Sequence, residues 1–257
     1  MSLVIYTVQD RVGYIALNRP EKRNALSGDM VTELKAAFAR AEEDETVKVI
    51  VLKANGEAFC AGADLAYLQQ LQQFSLEENL LDSNHLKDLF QQIYQLKKVV
   101  IAHVQGHALA GGCGLATICD FVFSTPEAKF GYTEVKIGFI PALVSVFLIR
   151  KIGEQKAKQL LLSGDLMQGE EAVRMGLVNY LFAKEELEQR VNSFAQFLIK
   201  NNSGQSMALT KQMIGEVQSM PLSEALAHAV EQNALARGSA DCKKGIAAFL
   251  NKEDIVW

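Results

Sequence analysis

The sequence predicts an α/β protein built on a parallel sheet. Three observations carry that expectation: apolar, β-branched runs alternate with helical patterns as far as Pro141, only the first two strands read as a hairpin, and from Ala142 onward the pattern is almost wholly helical. A chain of 257 residues that is 49% apolar, with four prolines, has ample material for a large core and one or two domains.

Residues 4–8 and 13–17 alternate or run apolar around the polar turn Gln9-Asp10-Arg11, which makes a hairpin. Residues 18–27 form a polar loop. Ser27 at its end is placed to cap a helix over 29–43, in which Met30, Leu34, Ala37, Phe38 and Ala41 keep helical spacing. A β-branched strand over 47–52 leads through a loop of small residues, 54–65, into a short helical pattern over 65–71. Residues 74–95 read as a polar helix with a Leu/Phe stripe, its first part polar enough to be mobile. An apolar strand over 99–102, a glycine-rich turn and a buried helix come next, then short strands over 121–124 and 129–131. Helices are expected near 143–151, 154–162, 170–175, 185–200, 204–218, 222–236 and 240–251, with Gly153, Gly164, Gly176 and Pro221 at the breaks.

Composition narrows the partners. A net charge of −4 without a long lysine or arginine run gives no electrostatic reason to expect nucleic acid or an anionic membrane. Small molecules are the better expectation. Neither a signal peptide nor an apolar run approaching about 18 residues is present, which points to a cytoplasmic protein. Cys60, Cys113, Cys119 and Cys242 show no CxxC pairing and read as buried free thiols.

The chemistry concentrates in residues 103–120. Gly106, Gly111, Gly112 and Gly114 stand there between the strand and an apolar segment over 115–119. Side chains are nearly absent where the buried helix begins, so its unpaired N–H groups can meet a ligand oxygen that acquires negative charge. Gly106 and Gly111 have P-loop spacing, but Gly112 and Cys113 occupy the Lys and Ser/Thr positions; a dinucleotide fingerprint would need a glycine at Thr117. His103 and His107 lack the accompanying Glu of a zinc motif. Cys113, at the helix start, is open to a lowered thiol pKa as well as to simple packing.

With these residues in view the chain resembles the crotonase superfamily, the enoyl-CoA hydratase/isomerase family, over essentially its whole length. Its texture is similar to bacterial enoyl-CoA and methylglutaconyl-CoA hydratase-like proteins. The resemblance rests on Asn18-Arg19-Pro20 with Asn24-Ala25-Leu26, on Ala58-Phe59-Cys60-Ala61-Gly62-Ala63-Asp64-Leu65, on Gly106 with Gly111-Gly112-Cys113, on Cys119-Asp120, and on Phe130-Gly131 with Glu134, Gly138 and Pro141. It implies a crotonase-like spiral of ββα units over residues 1–200 holding an acyl-CoA site, and a C-terminal helical trimerisation region over 201–257. A homotrimer or a hexamer is implied too, with no cofactor beyond the CoA of the substrate and no metal.

Carried over residue by residue, the resemblance makes Glu134 the acid/base and the N–H groups of Ala63 and Gly111 the oxyanion donors. Ala25, Ala61, Asp64, Leu65, Tyr67, His107, Tyr132, Pro141 and Ala142 are implied substrate contacts, and Lys22, Phe249 and Lys252 contacts to CoA. Asp64 also reads as a helix cap, and His107 as a structural histidine. The family's other carboxylate falls at Gly114, which is the main departure. The run Ala142-Leu143-Val144-Ser145 replaces a glycine-rich one and implies a bulkier, more apolar pocket wall. Hydration and double-bond isomerisation of an enoyl-CoA, 3-methylglutaconyl-CoA among them, are both open, with Tyr67 and Tyr132 as candidate water-holding hydroxyls. The alternatives are decarboxylation of a branched acyl-CoA, a non-catalytic CoA-binding scaffold and an RNA-binding relative; the last is disfavoured by charge.

Overall fold

The computed structural model describes residues 2–257 apart from the side chain of Leu65. β1 (Val4–Gln9) and β2 (Val12–Leu17) form the expected hairpin, Val4 opposite Leu17. Asp10 and Arg11 both take positive φ in its turn, the backbone that matches the twist of a two-residue connection. The helix α1 (Gly28–Glu43) starts at Ser27, whose hydroxyl accepts from the N–H of Met30, and it buries Met30, Leu34 and Phe38. β3 (Val49–Ala54) begins two residues later than the apolar run suggests, because the N–H of Val47 turns back to the carbonyl of Asp44. α2 (Leu65–Leu71) is capped by Asp64, and α3 (Leu76–Gln95) by a reciprocal Ser75/Glu78 box.

The middle of the chain is strand-rich. β4 (Val99–Val104), β5 (Ala108–Leu109), α4 (Gly111–Thr117), β6 (Phe121–Ser124) and β7 (Lys129–Gly131) follow one another closely. Helices α5 (Ala142–Ile152) and α6 (Glu154–Ser163) lead to β8 (Met167–Gln168), α7 (Gly169–Met175) and β9 (Tyr180–Leu181). The chain ends in α8 (Lys184–Asn201), α9 (Gly204–Val217), α10 (Leu222–Gly238) and α11 (Ala240–Asn251), close to the expected bounds. The three strands that sequence does not foreshadow, β5, β8 and β9, have two residues each, too few to display a period-two alternation.

The large sheet runs β1-β2-β3-β4-β6-β9 and is parallel after the hairpin; the small sheet runs β5-β7-β8. Successive turns of chain add one strand to the large sheet and the next to the small one, β4 then β5, and β6 then β7. A parallel bridge between Cys60 and Ala108 extends the small sheet to the segment that follows β3. Residues alternate across the large sheet: Ile50, Leu52 and Val100 enter the main core with α1, α3 and α4, whereas Val49, Val51, Val99 and Ile101 pack beneath Leu187, Val191 and Leu198 of α8. Fully buried apolar side chains of this size contribute about 1.5–3 kcal/mol each, which fixes the strands rigidly under the loops at their ends.

Candidate active site

The small sheet brings three chain segments together. Cys60 is bridged to Ala108, and Ala108 is paired with Phe130, in both cases parallel. Three residues beyond Cys60 lies Ala63, three beyond Ala108 lies Gly111, and four beyond Phe130 lies Glu134. All three groups therefore leave the same edge of the sheet, at the carboxyl ends of parallel strands, where open α/β folds place their ligands.

The first two groups offer backbone donors. A parallel bridge joins Leu26 to Ala63: the N–H of Leu26 donates to Gly62 O at 2.7 Å, and that of Asp64 to Leu26 O at 2.8 Å. Ala63's own N–H consequently faces away from Leu26, and it meets no acceptor among the described residues. Gly111 is the first residue of α4 and likewise has no acceptor for its N–H there. The two donor loops touch. A Cβ on Gly62 would stand 2.9 Å from Ala110 Cβ, and one on Gly112 would stand 2.3 Å from Cys60 O, so glycine is required at both positions. Ala110 between the loops takes φ 49° and ψ −125°, a costly backbone for an L-residue, held by a 2.8 Å bond from its N–H to Gly131 O.

Glu134 opens a 3-10 turn, Glu134–Ile137, and is half-buried. Its Oε2 is buried without a hydrogen-bond partner among the described residues. Burial pushes its carboxyl above the ordinary range, only partly opposed by its own backbone N–H. Beneath it lies an occupied network: Tyr132 is fully buried and its hydroxyl shares a 2.6 Å bond with Thr117, whose Oγ1 also donates to Cys113 O. Tyr132 is thus part of the floor, and the expectation that its hydroxyl contacts substrate is not met. The Cys113 thiol is pushed up to about 12 by burial, the opposite of the direction a helix start suggests, because the thiolate loses water before the short helix can compensate.

One turn along α4, Gly114 has no free space. A Cβ there would lie 2.4 Å from Val144 Cγ1 of α5 and 3.0 Å from the ring of Phe90 of α3. Both partners are buried. The run Ala142-Leu143-Val144-Ser145 after Pro141 therefore closes the space beside Gly114 with an apolar side chain.

The other expected contacts divide. Asp64 is a cap: its Oδ1 accepts from the N–H groups of Ala66 and Tyr67, and its Oδ2 pairs with Arg19 at 2.6 Å. Burial pushes its carboxyl up, but these donors outweigh burial and hold it below the ordinary range. Tyr67 is not a free hydroxyl, since it bonds Asp82 of α3; burial first and that bond second push it up to about 12. His107 is exposed, accepts from the Lys129 N–H through Nδ1, and with its carbonyl receives the N–H groups of Phe59 and Cys60. With Ala61, Arg23 and Gln105 it lines a cleft of about 1030 Å3 beside the Ala63 loop.

Ala25 is buried behind the polar loop, Pro141 caps α5, and Ala142 is exposed at its first turn. The Leu65 side chain lies outside the described residues. Lys22 is exposed at the end of the 3-10 turn Pro20–Lys22. Phe249, 83% exposed, and Lys252 lie at the end of α11, which packs on α9 and α10. Among the described residues no three His, Cys, Asp or Glu side chains converge as a metal site, and no helix is long and apolar enough to cross a membrane.

A family model described as enoyl-CoA hydratase/isomerase matches residues 7–257. The chain belongs to the enoyl-CoA hydratase/isomerase family. A Thermus thermophilus relative, provisionally named an enoyl-CoA hydratase, is 42% identical over 248 residues, 95% of this chain and 98% of its own. The crotonyl-CoA hydratase of Syntrophomonas wolfei is 34% identical over 256 residues, 97% of this chain and 95% of its own. Among solved structures, an enoyl-CoA hydratase from Shewanella pealeana superposes with a TM-score of 0.94 at 28% identity, covering 99% of this chain and 96% of that one.

The fold is thus the crotonase fold, and the chain is an enzyme of the enoyl-CoA hydratase/isomerase family. Arg19 stands in the Asn18-Arg19-Pro20 motif without a role there, and the structure shows it holding Asp64; Phe90 reads in sequence only as one member of a helical stripe.

Proposed function

We propose that the protein binds an enoyl-CoA thioester with its carbonyl oxygen between the N–H groups of Ala63 and Gly111, and that Glu134 alone carries the proton. The observation that supports this reading most is the meeting, at a single sheet edge, of two backbone donors and a half-buried carboxyl whose Oε2 has no partner among the described residues. As negative charge develops on the thioester oxygen, both donors strengthen their bonds, and removing one such donor typically costs a hundredfold or more in rate. Burial raises the proton affinity of Glu134, which suits a base that must take a weakly acidic C–H proton and return it.

With Gly114 packed against Val144 and Phe90, the reaction the geometry supports best is double-bond isomerisation. Glu134 removes a proton from the α-carbon of a 3-enoyl-CoA, the dienolate oxygen rests on the two N–H groups, and Glu134 returns the proton to the γ-carbon, giving the 2-enoyl-CoA. Hydration is the second reading, favoured by the hydratase names of the relatives; Glu134 would then hold and activate the water without a carboxylate partner. The chemistry draws on side chains, backbone and the substrate's own CoA. We further propose that residues 201–257 form an assembly region of a homotrimer or hexamer, on the strength of exposed Leu222, Val230, Leu235 and Leu250. Lys22, Phe249 and Lys252 are proposed as CoA contacts, the last two reaching a neighbouring subunit's ligand.

Turnover of crotonyl-CoA, a 3-enoyl-CoA and 3-methylglutaconyl-CoA by the wild type and Glu134→Gln tests the reading. Isomerisation should exceed hydration in the wild type, and the variant should lose activity by about a hundredfold to ten-thousandfold. Undiminished turnover by Glu134→Gln would remove that residue from the mechanism.

A further inference from the structure

We propose that the Arg19–Asp64 ion pair is the positioning element that aims the Ala63 N–H at the thioester oxygen, an assignment that rests on the oxyanion reading above. Ala63 is held on one side by the bridge to Leu26, which fixes the peptides before and after it. On the other side it depends on Asp64. That carboxylate, 8% exposed, does three things at once: it accepts from Ala66 N at 2.8 Å, from Tyr67 N at 3.2 Å, and pairs with the Arg19 guanidinium at 2.6 Å. The first two contacts set where α2 starts. The third ties that start to the polar loop, because the Arg19 N–H is itself held by buried Asn24, whose Nδ2 donates to the carbonyls of Asn55 and Ala58 at 2.9 Å. One continuous polar linkage therefore runs from the end of β3, through Asn24 and Arg19, to the peptide next to the Ala63 donor.

The ion pair has no chemistry to perform. Asp64 has its oxygens engaged by the two N–H groups and the guanidinium, and the guanidinium points at Asp64 and, at 4.0 Å, Glu21. Its consequence is directional. Loss of the carboxylate frees the N-terminus of α2 and leaves the Gly62–Ala63 peptide, which carries the donor, steadied by the Leu26 bridge alone; a donor displaced by about 1 Å from the developing charge loses roughly a hundredfold in rate. Ground-state affinity, carried mostly by the rest of the ligand, changes much less.

A spectroscopic readout separates positioning from plain structural support. Cinnamoyl-CoA absorbs at longer wavelength as its carbonyl is polarised, so the red shift at saturating ligand reports the oxyanion donors directly. It is measured in the Glu134→Gln background, where proton transfer is blocked, with Asp64→Ala, Asp64→Asn and Arg19→Gln added singly. Arg19→Gln leaves the α2 cap in place and serves if Asp64→Ala fails to fold. The expected result is loss of more than half the red shift in Asp64→Ala and smaller, clear losses in Arg19→Gln and Asp64→Asn, both of which break the ion pair while keeping an oxygen for the Ala66 and Tyr67 N–H groups. With Glu134 present, kcat should fall by about tenfold to a hundredfold in Asp64→Ala while KM moves less than about threefold. A full red shift in every variant that binds overturns the positioning role. Absence of binding or of any shift in the Glu134→Gln parent overturns instead the oxyanion reading on which it depends.

Discussion

Alanine at Gly114 tests its packing against Val144 and Phe90. The new methyl would sit 2.4 Å from Val144 Cγ1, more than 1 Å inside an ordinary carbon contact, and 3.0 Å from the Phe90 ring. Overpacking of this kind costs about 1–3 kcal/mol, and the better helix propensity of alanine offsets about 1 kcal/mol, so Gly114→Ala should lose up to about 2 kcal/mol. Val144→Ala removes two buried methyl groups, worth about 0.8 kcal/mol each, and leaves a small cavity; a loss near 2 kcal/mol is expected. In the double variant the offending Cγ1 is gone and the Gly114→Ala methyl enters the vacated space, with Phe90 yielding a few tenths of an ångström. Gly114→Ala should then be neutral or stabilising, for a favourable coupling of about 2 kcal/mol. Urea unfolding of the four proteins at one fixed concentration measures it, the fixed concentration removing any contribution from assembly. Additivity within about 0.5 kcal/mol would refute the contact. The same geometry governs any attempt to restore the absent carboxylate: Gly114→Glu alone should fold poorly, and only with Val144→Ala should its effect on hydration be readable.

Raised proton affinity at Glu134 places the acid limb of the kcat/KM profile above the ordinary carboxylate range, because the base must be ionised and loses activity as pH falls through its raised pKa. The same shift has a stability sign: the folded state holds the proton more tightly than the unfolded one, so this group's contribution falls as pH rises from the unfolded to the folded pKa. Glu134→Gln should accordingly gain stability relative to wild type at neutral pH over its difference at acid pH, and equal differences in urea midpoint at both would refute it. Thiol labelling should find half-buried Cys242 reacting in the native protein while Cys60, Cys113 and Cys119, each pushed up to about 12 by burial, react only on unfolding. Lys151→Met should cost about 2 kcal/mol or more in urea unfolding, because Nζ donates to the carbonyls of Thr117 and Cys119 at 2.9 Å and both would be left unpaired at the end of α4.

What the sequence makes legible is what is local. The hairpin, the Ser27 cap, the Asp64 cap and the helices after Ala142 all announce themselves within a few residues through alternation, capping side chains and glycine breaks. Ala63 and Glu134 are nominated by resemblance, and Gly111 by resemblance and by the bare start of the buried helix; the Cys60–Ala108 and Ala108–Phe130 pairings supply the physical reason for their meeting. Tyr67 and Tyr132 illustrate the converse: each looks like a spare hydroxyl in sequence, and each is taken by a partner that sequence cannot nominate, Asp82 fifteen residues away and Thr117 fifteen residues back.

The glycines make the sharpest case, because Gly62, Gly112 and Gly114 look alike in sequence and answer to different partners. Gly62 and Gly112 exist so that two donor loops can touch, and a side chain at either would part the donors themselves. Gly114 exists so that two helices can touch, and a side chain there would first disturb α5. Alanine at the first two positions should therefore damage turnover out of proportion to stability, whereas alanine at Gly114 should damage stability in a way that Val144→Ala repairs. Equal repair of all three by Val144→Ala would mean that the loops and the helices do not move independently, and the division of the site into a donor edge and an apolar plug would fall with it.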